Sequence, residues 1–266
     1  MKKNLSVLAF SFLALVSFSG CNKNSSSKVI KVGATPRPHA ELLNLVKDDL
    51  KENGYDLQVV EFTDYVTPNK ALEDGEIDAN FFQHLPYMNS FNKEQGYHLV
   101  SASGIHIEPM AVYSKKVKSL EELKNGSTIA IPNDPTNEGR ALLLLQSAGL
   151  ITLDSNAGLE ATPVNIVNNP KNLKFSELEA ASVPRVLQDV DAAVINGNYA
   201  IPVGLVATKD GLYVEGADSP YVNIVSVKEG NETSDKIKAL VNALKSEKIK
   251  KYISETYQDG EVIAVF

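Results

Sequence analysis

Between Ile131 and Leu145 the chain reads IPNDPTNEGRALLLL, which sets one guanidinium, that of Arg140, in the first turns of an almost wholly apolar helix. An apolar run from Thr128 to Ile131 stops at Pro132, and a polar turn leads into that helix. A helix N-terminus presents unpaired N–H groups and a partial positive charge, and Arg140 adds a planar fork of donors. The chemistry that fits is capture of a carboxylate or phosphate. The same residues also admit a plainer role, with Asn133 or Asp134 capping the helix and Arg140 in an internal ion pair.

Two further groups could do chemistry. Phe81, Phe82, His84 and Tyr87 lie close together in DANFFQHLPY, and Asn196 and Asn198 flank Gly197 after the apolar DAAVI. Read alone, an adjacent Phe pair is core, with one ring facing the sheet interior and the other a cleft. A lone histidine is a hydrogen-bonded structural residue, and Asn-Gly-Asn is a turn. Acid–base work by His84, His106, Glu108 and Asp134 lacks the framework of an enzyme: there is no serine elbow, Cys/His pair or H-E-x-x-H spacing. His98, His106 and Glu108 form the densest set of metal donors, the latter two on one face of a strand, but no Cys or further His joins them at ligand spacing.

The elements that must position these groups alternate. Lys28 to Ala34 reads as a strand, with Gly33 allowing close approach at its C-terminal end. A helix over Ala40 to Glu52, a strand over Leu57 to Phe62, a helix over Pro68 to Asp74 and a strand from Ile77 that ends in a turn at Pro86 complete a βαβαβ pattern. A β-rich segment, His98 to Ser114, leads into a second unit with a short helix at Leu120 to Leu123, the strand and helix around Arg140, a helix over Ser176 to Gln188 and a strand at Asp191 to Asn196. Tyr221 to Val227 returns the chain to the first unit, and one helix from Asp235 to Tyr257 finishes it, its apolar stripe packed on a sheet. The expected fold class is therefore α/β with two lobes: residues 29–112 plus 222–266 form the first and 113–221 the second. Two crossover segments and a cleft join them. Ligands in such sheets bind beyond the carboxyl ends of strands, where all three groups fall.

At the N-terminus, Lys2, Lys3 and the apolar stretch Leu5 to Val16 have the layout of a secretory signal, too short to span a bilayer. Residues 1–20 are read as that signal. FSG-Cys21 resembles the lipobox of bacterial lipoproteins, with Phe18 where Leu is usual; Cys21 would carry the lipid and residues 21–28 the flexible tether. A single cysteine leaves no internal disulfide. The net charge of −7, which becomes more negative once Lys2 and Lys3 are removed, argues against nucleic acid and against direct electrostatic docking to anionic membranes.

Six stretches resemble the bacterial methionine-binding lipoproteins, the NlpA/MetQ-type substrate-binding proteins of methionine ABC importers. They are VGATPRPHAELL, FTDYVTPNKAL, DANFFQHLPYM, IPNDPTNEGRALLLLQSAGLI, ELEAASVPRVLQDVDAAVINGNYA and SPYVNIVSV, which run in order through nearly the whole chain after the tether. The resemblance implies a two-lobed periplasmic-binding-protein-like fold of type 2 and a free amino acid as ligand, L-methionine first. It also implies delivery to an ABC transporter permease and, through it, an ATPase. By matching motif, Arg140 holds the ligand carboxylate. Phe82, His84 and Tyr87 line the side-chain pocket with Tyr65 beside them, and Asn196, Asn198 and Asn223 orient the backbone group of the ligand. Neither a cofactor nor a metal ion enters this expectation, which is of a monomer anchored by lipid to the cytoplasmic or the outer membrane. The alternatives are a binding protein of the same fold for a related amino acid or a methionine-containing dipeptide, or a metal-binding protein.

Overall fold

A computed structural model describes residues 28–216 and 219–266. The expected signal (residues 1–20), the lipidation site Cys21 and the tether up to residue 27 lie outside the described residues. In chain order the strands are β1 (Lys28–Ala34), β2 (Tyr55–Glu61), β3 (Ala79–His84), β4 (Leu99–Ile107), β5 (Ala111–Tyr113), β6 (Thr128–Pro132), β7 (Thr152–Leu153), β8 (Ile166–Asn168), β9 (Lys174–Leu178), β10 (Ala192–Ile195), β11 (Gly211–Val214), β12 (Val222–Lys228) and β13 (Ile263–Ala264). The helices are α1 (Glu41–Leu45), α2 (Lys47–Glu52), α3 (Thr67–Glu73), α4 (Leu85–Gln95), α5 (Pro135–Ser147), α6 (Gly197–Ala200), α7 (Ala207–Asp210), α8 (Asp235–Leu244) and α9 (Glu247–Thr256).

The strands sort into two main sheets, one per lobe. The first has the order β13-β4-β12-β3-β1-β2, with β1 parallel to both β2 and β3, and β12 antiparallel between β3 and β4. The second has the order β11-β5-β10-β6-β9, with β6 parallel to β9 and β10. Every residue of β3 is buried, because the strand lies inside the sheet with helices on its faces. Side-chain alternation divides the second core: Ile129 and Ile131 pack with Leu142 and Leu145 on one face, and Ala130 with Val183, Ala193 and Ile195 on the other. This is the two-lobed α/β architecture of the sequence reading.

Several details differ from that reading. Strand β5 pairs with β10 and β11, so residues 111 and 112, expected in the first lobe, belong to the second sheet and the first crossover is residues 108–110. The helix expected over 176–188 is strand β9, whose Ser176 is paired with Ala130, followed by a 3₁₀ segment Ala180–Val186. Pro184 lacks the amide needed to continue an α-helix there. The single C-terminal helix is two, because Ser246 is extended and starts α9 afresh. The helix expected over 40–52 is broken at Val46 into α1 and α2. Pro86 lies in the first turn of α4 instead of closing a turn, where a missing N–H costs nothing. A Cβ on Gly33 would stand 2.7 Å from Ile77 Cδ1 and 2.8 Å from Phe62 Cε2, so that glycine serves packing within the lobe.

Candidate functional site

A small cavity of about 20 Å³ lies in the interlobe cleft. Tyr65, Phe82, His84, Tyr87, Arg140, Asn196, Asn198 and Asn223 all line it. Gln83, Glu108, Asn137 and Gly197 complete the lining.

The first lobe supplies an aromatic wall. Phe82 lies on β3 with its ring 5.8 Å from that of Tyr65 and 6.1 Å from that of Tyr87, the latter edge to face. Phe81, its neighbour on the opposite face of the strand, is fully buried against His39 and His106. Tyr87 lies on α4 and donates its hydroxyl to the backbone carbonyl of Tyr65 at 2.9 Å, which holds the Tyr87 ring.

A chain of hydrogen bonds from α5 orients the polar groups. Asp134 caps α5, and its Oδ1 accepts from the backbone N–H of Asn137 at 3.0 Å and from Asn137 Nδ2 at 2.8 Å. An ionised carboxylate only accepts, so Asn137 turns its Oδ1 outward, where it accepts from Asn196 Nδ2 at 2.7 Å and from His84 Nε2 at 3.2 Å. His84 Nδ1 in turn accepts from the Tyr87 N–H at 3.2 Å. The imidazole is therefore the neutral Nε2–H tautomer, consistent with burial and the nearby Arg140 charge lowering its pKa to about 3. Tyr65 donates to Asn198 Oδ1 at 2.5 Å. Two buried atoms of opposite polarity are left without a protein partner: Asn196 Oδ1, an acceptor, and Asn198 Nδ2, a donor.

Arg140 makes the internal ion pair that the sequence admits and also lines the cavity. Its fork is closed by a carboxylate of this chain, Glu215: Nε donates to Oε1 at 2.9 Å and Nη2 pairs with Oε2. Nη2 also donates to the backbone carbonyl of Glu108 at 2.9 Å, and the guanidinium lies 4.3 Å from the ring centre of Tyr221. Nη1 is the guanidinium nitrogen without a hydrogen bond among the described residues. The internal ion pair and the lining position thus coexist, since Glu215 and Tyr221 hold the group from the second crossover side while it edges the cavity.

Beneath the cavity His39 and His106 both aim Nε2 at Glu108 Oε1, at 3.2 and 2.7 Å. His39 Nδ1 meets Thr35 Oγ1 at 2.8 Å, and its Nε2 lies 3.0 Å from Asn223 Oδ1. Burial lowers the pKa of His39 to about 4 and that of His106 to about 3, so both are neutral. The donor group proposed from sequence is corrected here: His98 is on the surface beside Glu73, and His39 takes its place. His106 Nε2 donates to Glu108 Oε1, while the hydrogen-bond partner of His39 Nε2 is Asn223 Oδ1. His39 and Glu108 went unassigned to the ligand cleft in the sequence reading. His39 follows the end of β1, and His84 is the last residue of β3, so position at a strand end is a usable signal for both. Asn137 stands three residues before Arg140 on the same helix face, a second such signal. Glu108 and Glu215 lie in crossovers with no local pattern.

The comparisons with known proteins agree on the chain as a whole. The profile of the NlpA lipoprotein family matches residues 30–266. The D-methionine-binding lipoprotein MetQ of Salmonella typhimurium is 45% identical over 251 residues, covering 93% of each chain. Among solved structures, lipoprotein Tp32 of Treponema pallidum superposes with a TM-score of 0.88 at 44% identity, covering 90% of this chain and all of that one. A nutrient-binding protein of Burkholderia cenocepacia, solved bound to methionine, superposes with a TM-score of 0.87 at 48% identity, covering 89% of this chain and all of that one.

Proposed function

The chain belongs to the NlpA lipoprotein family, and on that premise we propose that it captures free methionine, L-methionine first, in the interlobe cavity and hands it to an ABC transporter permease coupled to an ATPase. The observation that carries the reading is the pairing of chemistries in one small cavity: an aromatic wall from the first lobe faces orphaned polar atoms and a guanidinium from the second. A thioether packs favourably on aromatic edges, at about 0.3–1.5 kcal/mol per contact, so Tyr65, Phe82 and Tyr87 suit the methionine side chain. His84, neutral and fully hydrogen-bonded, adds a wall without adding charge. The ligand carboxylate would be met by Arg140 Nη1 and Asn198 Nδ2, and the ammonium by Asn196 Oδ1. Asn223, held by His39, would keep the polar end in register. Burying a zwitterion without such partners would cost several kcal/mol or more.

The role supported is binding, since the similar proteins are named as methionine-binding lipoproteins. Acylation of Cys21 after removal of residues 1–20 would tether the domain at a membrane surface, beside its permease. The protein would act as a monomer. The test is calorimetric titration of the full-length protein in detergent, first unfolded and refolded to strip carried-over ligand, with L-methionine, D-methionine and Gly-Met. One-to-one binding of L-methionine in preference to the others supports the proposal. Preference for D-methionine or for the dipeptide reassigns the ligand, and silence with all three from a folded protein removes methionine altogether.

A further inference from the structure

A second space, of about 230 Å³, opens between the lobes, and Tyr87 lines both it and the ligand cavity. Three segments pass from one space to the other within about one helical turn. Before α3, Tyr65 lines the cavity and Val66 the second pocket. On α4, Tyr87 is followed one turn later by Phe91, which lines the second pocket. At the start of α5, Asn137 lines the cavity, while Pro135 and Thr136 line the pocket. The two spaces are therefore halves of one cleft, and the Tyr87 side chain stands between them. On the cavity side its ring meets Phe82 and His84 edge to face, at 6.1 and 6.3 Å; on the other side it stacks on Phe91 at 5.8 Å. The 2.9 Å hydrogen bond from its hydroxyl to the Tyr65 carbonyl holds it in that dividing position.

We propose that Tyr87 sets the maximum length of the ligand side chain, as a partition that keeps uncharged S-alkyl homocysteines longer than methionine out of the second pocket. The assignment rests on the amino-acid reading above and deepens it. A ring packed on both faces and held by a hydrogen bond cannot give way without moving its neighbours, so an added carbon is an overpacking problem. Rejection of one extra methylene by an apolar pocket is worth about 10- to 200-fold. The limit lies in the partition, not in a shortage of room, because the space beyond is large and walled in part by Val66, Phe91 and Pro135. Its charged side chains, Glu94 and Asp134, are both acidic, so an alkyl tail suits it and an anionic tail does not.

The test is calorimetric titration of the full-length protein, stripped of ligand as above, with L-methionine, L-ethionine and S-butyl-L-homocysteine. The parent binds methionine best and weakens by about 10-fold or more at ethionine. In Tyr87→Ala methionine itself is held less well, and the readout is the ratio of methionine to S-butyl-homocysteine affinity, which falls by about 10-fold or more as the butyl tail enters the second pocket. Tyr87→Phe, which keeps the ring, keeps the parent's ratio. Val66→Phe, made at a half-exposed position of the second pocket in the Tyr87→Ala background, fills that pocket and restores the refusal of the longer ligand. Should Tyr87→Ala not fold, Tyr87→Leu read with ethionine decides the same ratio. A parent that takes S-butyl-homocysteine as well as methionine, a ratio unchanged on shortening Tyr87, or a relaxed ratio that Val66→Phe leaves relaxed would each overturn the assignment. A folded parent that binds no methionine overturns the methionine reading instead, an outcome read before any variant is made.

Discussion

Arg140 serves three neighbours at once: the Glu215 carboxylate, the Glu108 carbonyl and the face of Tyr221. From sequence, removing it is expected to abolish ligand binding and leave the fold intact. The structure changes that expectation, since the guanidinium is 4% exposed and Glu215 would be left nearly buried and unpaired. Removing one partner of a buried ion pair costs about 3–5 kcal/mol, and the residual exposure of Glu215 puts this pair toward the low end. Arg140→Ala is therefore expected to lose methionine binding and to unfold at a lower urea concentration than the parent. Glu215→Gln, which keeps the shape of the contact, should lose less stability. An unchanged urea midpoint in Arg140→Ala would mean that Glu215 is solvated without the arginine.

At the scale of the element, α5 is the helix on which the site depends. Asp134 caps its start, Asn137 relays orientation to Asn196 and His84, and Arg140 edges the cavity from the second turn. Gly139 lets the helix lie on the backbone of residues 158–160, because a Cβ there would stand 2.1 Å from the Leu159 carbonyl oxygen. Glu138, between them, is buried with one carboxylate oxygen unpartnered. Burial, with Glu177 and Asp134 nearby, raises its pKa from 4.5 to about 7. The folded value lies above the unfolded one, so the stability associated with this group is intact below about pH 4.5 and is lost as pH rises through about 7. Glu138→Gln should consequently melt higher than the parent at pH 8, with the difference shrinking toward pH 4.5. Thermal scans at both values decide it, and a constant offset would show that the charge is not what matters.

The whole molecule is two lobes drawn together by a few polar contacts across the cleft. Tyr65 to Asn198, His84 to Asn137 and Tyr199 to the Thr63 carbonyl join the lobes at 2.5, 3.2 and 3.1 Å. Ligand contacts to both lobes would favour this closed form only insofar as they are absent when the lobes part. The same seam and the core beneath it hold His39, His84 and His106, whose pKa values burial lowers from 6.5 to about 4, 3 and 3. For groups depressed on folding, the stabilising contribution is present above pH 6.5 and is lost as pH falls toward the folded values. The melting temperature of the parent should thus drop between pH 6.5 and pH 4, against the opposite and smaller contribution of Glu138. A flat profile would mean that one or more of the histidines finds water or an anion on protonation.

The alternation of strands and helices, the division into two lobes and the clustering of Phe82, His84, Arg140 and Asn196 at strand ends were legible in the sequence, because hydrophobic period and turn residues are local properties. So was Asp134 as a cap. Segment 176–188 was misread because its apolar spacing fits a helix, and only pairing with β6 decides for a strand. The partners of Arg140 and of the histidines are decided by tertiary structure alone: Glu215 lies 75 positions from Arg140, and His39 is separated from Asn223 by 184. Such pairings depend on where two crossovers bring the lobes together, and no pattern along the chain encodes that distance. Sequence by itself therefore brought Phe82, His84, Arg140 and Asn196 to the cleft, while the folded molecule added Gln83, Glu108 and Asn137 and determined which atoms remain free to meet a ligand.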